Sequence, residues 1–150
     1  MLADALGRGL RAPVLRMDDL YPGWDGLAAG SARLARDVLP GWRSGRPVRA
    51  RRWDWAQDRW SRAADGADDV VVPACPLLVL EGVGAGVLAA SAAPDVLVWV
   101  EAPDDVRRRR ALARDGEAYA PHWERWAAQE AAHLAACDPR SRADVVVRTA

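Results

Sequence analysis

Carboxylates follow directly after three short apolar runs of the sequence. Asp18 and Asp19 come after the first run, Glu81 after the second and Glu101 after the third. If these runs are parallel strands, their carboxyl ends meet at one edge of a sheet, where ligands of α/β proteins bind. Carboxylates grouped at that edge suit a magnesium ion, or accept the proton of a hydroxyl. The alternative is that each acid only ends its strand as a turn residue.

A row of arginines is the second group of residues with chemical potential. Arg107, Arg110 and Arg114 are spaced three and four residues apart, so on a helix they share one face. Guanidinium groups on one face suit a polyphosphate, because each one grips phosphate oxygens in a forked contact. The alternative is a solvated helix face on which Asp104 and Asp105 balance the arginines.

The composition limits the chemistry that this chain performs. All 21 basic residues are arginine, which excludes a Schiff base or a phosphate-binding lysine within these residues. The 21 acidic residues bring the formal net charge to zero, so nothing attracts the whole chain to nucleic acid or to an anionic membrane. The two cysteines, Cys75 and Cys137, form no C-x-x-C motif, and no apolar run is long enough to span a membrane. We therefore expect a cytoplasmic protein.

Strands and helices alternate along the sequence. Runs rich in Val, Leu and Ala are typical of strands buried on both faces, at residues 13–17, 77–80, 96–100 and 145–147. Helices are predicted over residues 2–10, 27–39, 85–90, 106–114 and about 121–137. Leu2, Leu6 and Leu10 are expected to form the packing face of the first helix, and Asp104 to cap the fourth. This alternation predicts one three-layer α/β domain over residues 1–150, with a mostly parallel sheet.

Residues 41–69 follow no clear period, although they lie in a long connection between the first two predicted strands. Such a connection is usually functional. It interleaves arginines with Trp42, Trp53, Trp55 and Trp60. Guanidiniums and indoles together suit phosphates and stacked bases, so a nucleic-acid surface around residues 49–52 is one interpretation. The zero net charge makes it the weakest of the functional hypotheses, and we expect no nucleic-acid partner.

Short motifs carry a resemblance to a known family. In chain order they read "VLRMDDLYPGW", "RRWDW", "LLVLEGVGA", "VLVWVEAPDDVRRRRALARDGE", "HWERWAAQE" and "RADVVV". Their order and spacing resemble the uridine kinase-like branch of the P-loop nucleoside kinases, as found in small ATP-binding proteins of high-GC bacteria. The resemblance covers nearly the whole chain. It implies a P-loop NTPase-like parallel sheet with flanking helices, and ATP- and magnesium-dependent phosphorylation of a small hydroxylated substrate such as a nucleoside.

The resemblance also implies roles for individual residues. Asp18 stands where such kinases keep the carboxylate that accepts the proton of the sugar 5′-hydroxyl, and Tyr21 where an aromatic ring helps to hold the nucleoside. Asp54 matches an acidic residue near the sugar hydroxyls, with Trp53 and Trp55 as stacking faces.

Three further residues match functional positions of the family. Glu81 matches the acidic residue close to magnesium and substrate, so Asp18 and Glu81 together are expected to hold the ion through water. Arg110 and Arg114 match lid arginines that close on the transferred phosphate. The spacing of these two arginines differs from the commonest pattern of such kinases.

One departure from the family concerns ATP itself. The family opens with a strand, central in its sheet, and a G-x-x-x-x-G-K-[ST] loop that binds the ATP phosphates. The 150 residues contain neither this loop nor a lysine, and "LADALGRGL" resembles the remainder of the helix that follows it. We expect the missing strand and loop to be encoded upstream of Met1, and the 150 residues alone to be nearly inactive. The alternative is a non-catalytic remnant or interaction protein on the same fold; substrate identity and oligomeric state stay open.

Overall fold

The chain divides into two compact units in the computed structural model, which describes residues 1–62, 66–86 and 94–150. The first unit is Met1–Ala93 and the second is Pro94–Ala150. Each unit combines short strands with helices, and each contains one parallel pair of strands. The predicted α/β class is therefore confirmed, while the single domain and the three layers stay predictions.

The first unit contains three helices and six strands among its described residues. They are α1 (Leu2–Leu10), β1 (Val14–Arg16), α2 (Leu27–Arg33), α3 (Leu39–Arg43), β2 (Val48–Ala50), β3 (Trp53–Asp54), β4 (Arg59–Trp60), β5 (Val70–Val72) and β6 (Val79–Glu81). β1 pairs with β6 in parallel, whereas β2 pairs with β5, and β3 with β4, antiparallel. The predicted strands at 13–17 and 77–80 are confirmed as β1 and β6. Strands β2, β3 and β4 lie within residues 41–69, which follow no clear period, and β5 begins directly after them.

The core of the first unit forms between the turn after β1 and the long helical segment that follows. A 3-10 turn over Met17–Asp19 continues directly from β1. The helical segment presents Leu27, Leu34 and Val38, whose spacing of seven and four residues places them on one face. Fully buried side chains of this core are Leu15, Met17, Leu20, Tyr21, Leu27, Leu34 and Val38. The turn that carries Asp18 is thereby attached to the most deeply buried side chains of the unit.

The helix predicted over residues 27–39 continues beyond its expected end. A π-helical turn over Leu34–Val38 joins α2 to α3, and α3 ends at Arg43. Pro40 does not end the helical segment, because it occupies the first turn of α3, where a missing N–H costs no hydrogen bond.

The packing face predicted for α1 is wrong in this structure. The side chains of Leu2, Leu6 and Leu10 are exposed, and the helix buries Ala3 and Gly7 instead. A Cβ atom on Gly7 would lie 2.6 Å from Cγ2 of Val14, so α1 approaches β1 too closely for a larger residue. The face of α1 that contacts β1 therefore consists of small residues. The three leucines lie on the exposed side of the helix.

The second unit contains two strands and two helices. They are β7 (Val98–Glu101), α4 (Asp104–Asp115), α5 (Trp123–Cys137) and β8 (Val145–Arg148), with β7 and β8 paired in parallel. All four elements were predicted, but two details differ. Asp104 lies in the first turn of α4 rather than at its cap, which is Pro103, and Pro121 lies in a 3-10 turn before α5.

The strands of the second unit are less buried than predicted. The side chains of Val96, Val100, Val145 and Val146 are all exposed, although a strand covered on both faces was expected. In the described residues each parallel pair forms a two-stranded sheet. The expectation that the sheet has a further, central strand is not tested by these contacts. The predicted helix at 85–90 lies largely outside the described residues.

Candidate active site

The parallel pairing of β1 with β6 brings two of the predicted acids to the same edge of the sheet. Arg16 lies opposite Glu81 in the register, and Asp18 follows Arg16 by two residues in the 3-10 turn. Both carboxylates therefore stand at the carboxyl ends of paired parallel strands, the position at which α/β folds bind ligands. Asp18 is exposed and Glu81 is partly exposed. The edge thus presents two acids that solvent and a substrate can reach.

The two adjacent aspartates of this turn have different environments. Oδ1 of Asp19 lies 3.0 Å from Nε of Arg52 in an ion pair. Partial burial raises the pKa of the Asp19 carboxyl, and the positive charge of Arg52 opposes that shift. Asp19 is therefore engaged in holding the chain between β2 and β3 against the turn, and Asp18 is the more exposed acid of the pair.

A glycine-containing loop follows Glu81 and is anchored by two hydroxyls. The Tyr21 hydroxyl donates a 2.5 Å hydrogen bond to the main-chain oxygen of Val83, and Oγ of Ser31 lies 3.3 Å from that of Gly84. Gly82 has φ of 125°, and a Cβ atom there would lie 2.7 Å from Cβ of Met17. Only glycine fits this close approach between the loop and the acidic turn.

The structure gives Tyr21 a packing role. Its side chain is 1% exposed and its hydroxyl is used on the loop after β6. Contact of this ring with a substrate stays a prediction. Sequence reasoning missed Val83 as the partner of Tyr21 and Ser31 as the partner of Gly84. The glycines of "EGVGAG" were the one signal that two backbone segments approach closely there.

The β3–β4 hairpin is held together by its own aromatic rings. Trp53 and Trp60 meet edge to face with ring centroids 4.9 Å apart, and the guanidinium of Arg33 lies 3.8 Å from the centre of the Trp60 ring. Among the described residues, the buried Nε1 atom of Trp53 has no hydrogen-bond acceptor. The rings are thus partly occupied by packing, and the stacking of a substrate on Trp53 stays a prediction.

Asp54 caps the turn of this hairpin. Its Oδ1 accepts hydrogen bonds from the backbone N–H groups of Ala56 at 3.0 Å and Gln57 at 3.1 Å. Such an Asx turn fixes the chain between β3 and β4. This geometry gives Asp54 a structural task, and its predicted contact with sugar hydroxyls stays a prediction.

Trp55, in the hairpin turn, reaches back to the acidic turn. Its indole Nε1–H donates a 2.9 Å hydrogen bond to the main-chain oxygen of Asp18. The Trp55 ring also packs against Trp24, with centroids 4.8 Å apart and the planes inclined at 57°. Sequence analysis missed Trp24, because an aromatic residue in a turn carries no periodic signal that identifies its partner.

Two arginines near the start of α4 pair with different acids. Arg107 pairs with Asp104 and with Glu130 of α5, and Arg109 pairs with Asp105. These contacts agree with the alternative in which aspartates of the first turn balance the row.

The two predicted lid residues, Arg110 and Arg114, are also engaged. Arg110 donates to Oγ1 of Thr149 at 3.0 Å and to the main-chain oxygen of Ala150, and Arg114 pairs with Asp115 at 2.7 Å. The structure does not gather these guanidiniums around one point, and their catalytic role stays a prediction.

Glu101, the third strand-end acid, belongs to a network in the second unit. It accepts hydrogen bonds from Arg140 at 2.8 Å, from Arg148 at 3.0 Å and from the indole of Trp99 at 2.9 Å. These bonds, that from Arg140 first, lower the pKa of Glu101 to about 2. Glu101 therefore serves an ion-pair network within the second unit, and its predicted grouping with Asp18 and Glu81 stays a prediction.

The donor set fits a hydrated magnesium ion but not the ATP phosphates. Within residues 1–62, 66–86 and 94–150, no group of three or more His, Cys, Asp or Glu residues is arranged to hold a metal. Magnesium usually takes one or two protein carboxylates and keeps several waters, which matches Asp18 and Glu81. ATP phosphates need a lysine and a glycine-rich loop, and the chain has no lysine.

In the described part of the chain, no helix is long and apolar enough to cross a membrane.

The fold is similar to that of a solved structure of a possible uridine kinase from Bacillus stearothermophilus. The TM-score is 0.62 at 18% sequence identity, and the match covers 97% of this chain and 79% of that chain. No family model matches the sequence, and no curated protein matches it. At this identity the likeness shows the fold alone, a mixed α/β fold of the kind found in that kinase.

Proposed function

We propose that the chain supplies the acceptor-binding part of an ATP-dependent phosphotransferase of the uridine or nucleoside kinase type. The observation that supports this proposal most directly is the placement of Asp18 and Glu81 at the carboxyl ends of the paired strands β1 and β6. The fold similarity to a possible uridine kinase agrees with it. The substrate class is a small hydroxylated molecule such as a nucleoside, and the protein is proposed to act in the cytoplasm.

Asp18 is proposed as the group that accepts the proton of the attacking hydroxyl. It is an exposed carboxylate in a turn fixed to the core, and such a base must stand within hydrogen-bond reach of its proton. Glu81 and Asp18 would hold a hydrated magnesium ion, which neutralises charge on the transferred phosphate. Tyr21, Trp53 and Asp54 are proposed to surround the substrate, and Trp55 to act through the acidic turn that it contacts.

The lid arginines would act by exchanging partners. Phosphoryl transfer depends on positioning and on neutralising negative charge, which guanidiniums supply. Arg110 would leave Thr149 and the main-chain oxygen of Ala150, and Arg114 would leave Asp115, to reach the phosphate. These bonds are exposed, so water replaces them at small cost.

The phosphate-binding loop is proposed to lie outside these 150 residues. The DNA preceding the codon of Met1 should encode, in frame, a Val/Ile-rich strand and a G-x-x-x-x-G-K-S-like loop. The second candidate is a non-catalytic protein on the same fold, which the complete lack of lysine favours for the 150 residues taken alone. A stop codon directly upstream, with no ATP binding in a titration, would establish the second candidate and reject the first.

A matched pair of variants tests the proposal in the protein encoded by the complete reading frame. The assay offers ATP, magnesium and a panel of nucleosides, and measures phosphorylated product. Asp18→Asn should lower kcat about 100-fold or more, because it removes the general base. Asp68→Asn, an exposed acid of the same unit outside the site, should leave kcat unchanged. An Asp18→Asn enzyme as active as the Asp68→Asn enzyme, or a wild-type protein without activity on the panel, would refute the proposal.

A further inference from the structure

We propose that Trp55 is a positioning residue for Asp18, and not a surface on which the substrate stacks. The indole Nε1–H of Trp55 donates to the main-chain oxygen of Asp18 at 2.9 Å, across 37 residues of sequence. This inference rests on the proposed function, because it is the proposed role of Asp18 that gives the bond a consequence for catalysis.

The hairpin that carries Trp55 is a firm support for such a bond. Asp54 fixes the turn through the backbone N–H groups of Ala56 and Gln57. The neighbouring ion pair of Arg52 with Asp19, at 3.0 Å, attaches the chain just before β3 to the same acidic turn. Two adjacent carboxyl-bearing residues are thus held from the same short segment, Asp19 by its side chain and Asp18 by its backbone.

The turn itself explains why a backbone bond matters there. Asp18 lies in a three-residue 3-10 turn, and its side chain is exposed. Short 3-10 turns have poorer hydrogen-bond geometry than an α-helix, so an external bond adds to their order. A catalytic group must be held to within about 0.5 Å of its productive position by neighbouring residues. The Trp55 bond supplies this restraint from outside the turn.

The packing of the Trp55 ring also favours positioning over stacking. Trp55 is 37% exposed, and its ring lies against Trp24 with centroids 4.8 Å apart. Packing against Trp24 orients the indole ring, and the hydrogen bond to Asp18 orients its nitrogen. Trp24 is therefore expected to stabilise the bond by keeping the indole in place.

Three variants of the protein from the complete reading frame separate the two roles. Trp55→Phe keeps an aromatic ring and loses the N–H donor, and Trp55→Ala loses both. Trp42→Phe is the matched control, because it removes another indole donor of the first unit, which bonds Sγ of Cys75 at 3.4 Å. The measured quantities are kcat and the KM for the nucleoside at saturating ATP and magnesium.

Positioning predicts that both Trp55 variants lower kcat by about tenfold, the equivalent of one hydrogen bond, with KM changed by less than about twofold. Trp42→Phe should match the wild type. Stacking predicts a different pattern, in which Trp55→Phe retains the wild-type constants and Trp55→Ala raises KM alone. That second pattern would overturn the inference.

An NMR experiment tests the bond without any assay of activity. In the ¹⁵N spectrum of the same protein, the indole signal of Trp55 is assigned by its loss in Trp55→Phe. The Nε1–H hydrogen of Trp55 should exchange with solvent at a lower rate than an indole N–H hydrogen in the unfolded chain. Fast exchange would overturn the inference even in an active kinase. A wild-type protein without kinase activity would refute the proposed function, and with it the positioning role, whatever the exchange rate.

Discussion

The side chain of Tyr21 joins the acidic turn to the loop after β6 through a hydrogen bond of its hydroxyl. Its hydroxyl donates to the main-chain oxygen of Val83 at 2.5 Å, 62 residues further along the chain. The bond links the segment after Asp18 with the segment after Glu81. The two candidate acids are therefore connected through the packing of one buried ring.

Replacing Tyr21 separates the contribution of this bond from that of the ring. Tyr21→Phe should lower the free energy of unfolding by about 1 kcal/mol, because one buried hydrogen bond is lost. Tyr21→Ala should lower it by about 3–5 kcal/mol, because a cavity is left in the core. Urea unfolding measures both. A Tyr21→Phe protein with unchanged stability and a raised KM for the nucleoside would show instead that the hydroxyl serves the substrate.

The glycines of α1 provide a second test of the packing. Gly9→Ala should raise the free energy of unfolding by about 0.5–1 kcal/mol, because alanine is the better helix former and nothing lies within 4 Å of the new Cβ atom. Gly7→Ala should lower it by about 1–3 kcal/mol, because its Cβ atom would lie 2.6 Å from Cγ2 of Val14. Thermal unfolding of both variants measures the difference. Equal effects would mean that α1 does not contact β1 as described.

The sequence identified the elements whose residues repeat a single pattern. The continuous apolar runs at β1 and β6 predicted strands, and the strand-end rule then predicted that Asp18 and Glu81 share an edge. The leucines of α1 predicted the helix correctly but not its contact face, because periodicity describes a face without showing what covers it. The close approach of α1 to β1 at Gly7 is a tertiary contact, and a single glycine in the sequence does not show which element it contacts.

The remaining features depend on contacts between distant residues. Strands β2 to β5 are only two or three residues long, so no periodic signal develops in them. The bonds from Trp55 to Asp18 and from Arg52 to Asp19 join residues more than 30 positions apart. Sequence analysis identified Trp55 and Asp18 separately, and only the folded hairpin shows that they contact each other.

The network around Glu101 predicts a response to acid. Because hydrogen bonds from Arg140 and Arg148 lower the pKa of Glu101 from 4.5 to about 2, the folded state binds its proton less readily than the unfolded state. Its contribution to stability is complete above pH 4.5 and is lost as the pH falls towards about 2. Glu101→Gln should therefore show a smaller loss of stability over this range than the wild type.

The matched control for this experiment is Glu117→Gln, which removes a carboxylate outside the Glu101 network. Unfolding by urea at a series of acidic pH values gives the free energy of unfolding for all three proteins. The Glu117→Gln protein should follow the wild type. Parallel pH profiles for wild type and Glu101→Gln would show that the arginines do not hold Glu101 in solution.

The burial of Tyr119 predicts that the protein loses stability at alkaline pH. Its side chain is 8% exposed and meets Trp123 edge to face, and burial raises its pKa to about 12. Because the ordinary value is 10.0, the folded state keeps the proton longer than the unfolded state. Stability linked to this group is fully present below pH 10.0 and is lost as the pH rises to about 12. Tyr119→Phe should therefore have a flatter alkaline profile of unfolding free energy.

The chain has two tyrosines, so Tyr21→Phe leaves Tyr119 as the only one. The ultraviolet absorbance of tyrosinate in this variant then follows the ionisation of Tyr119 alone. Its midpoint should lie well above 10.0 while the protein is folded, and return to the ordinary value in denaturant. A midpoint at the ordinary value in the folded protein would mean that water reaches the Tyr119 hydroxyl freely, contrary to its burial beside Trp123.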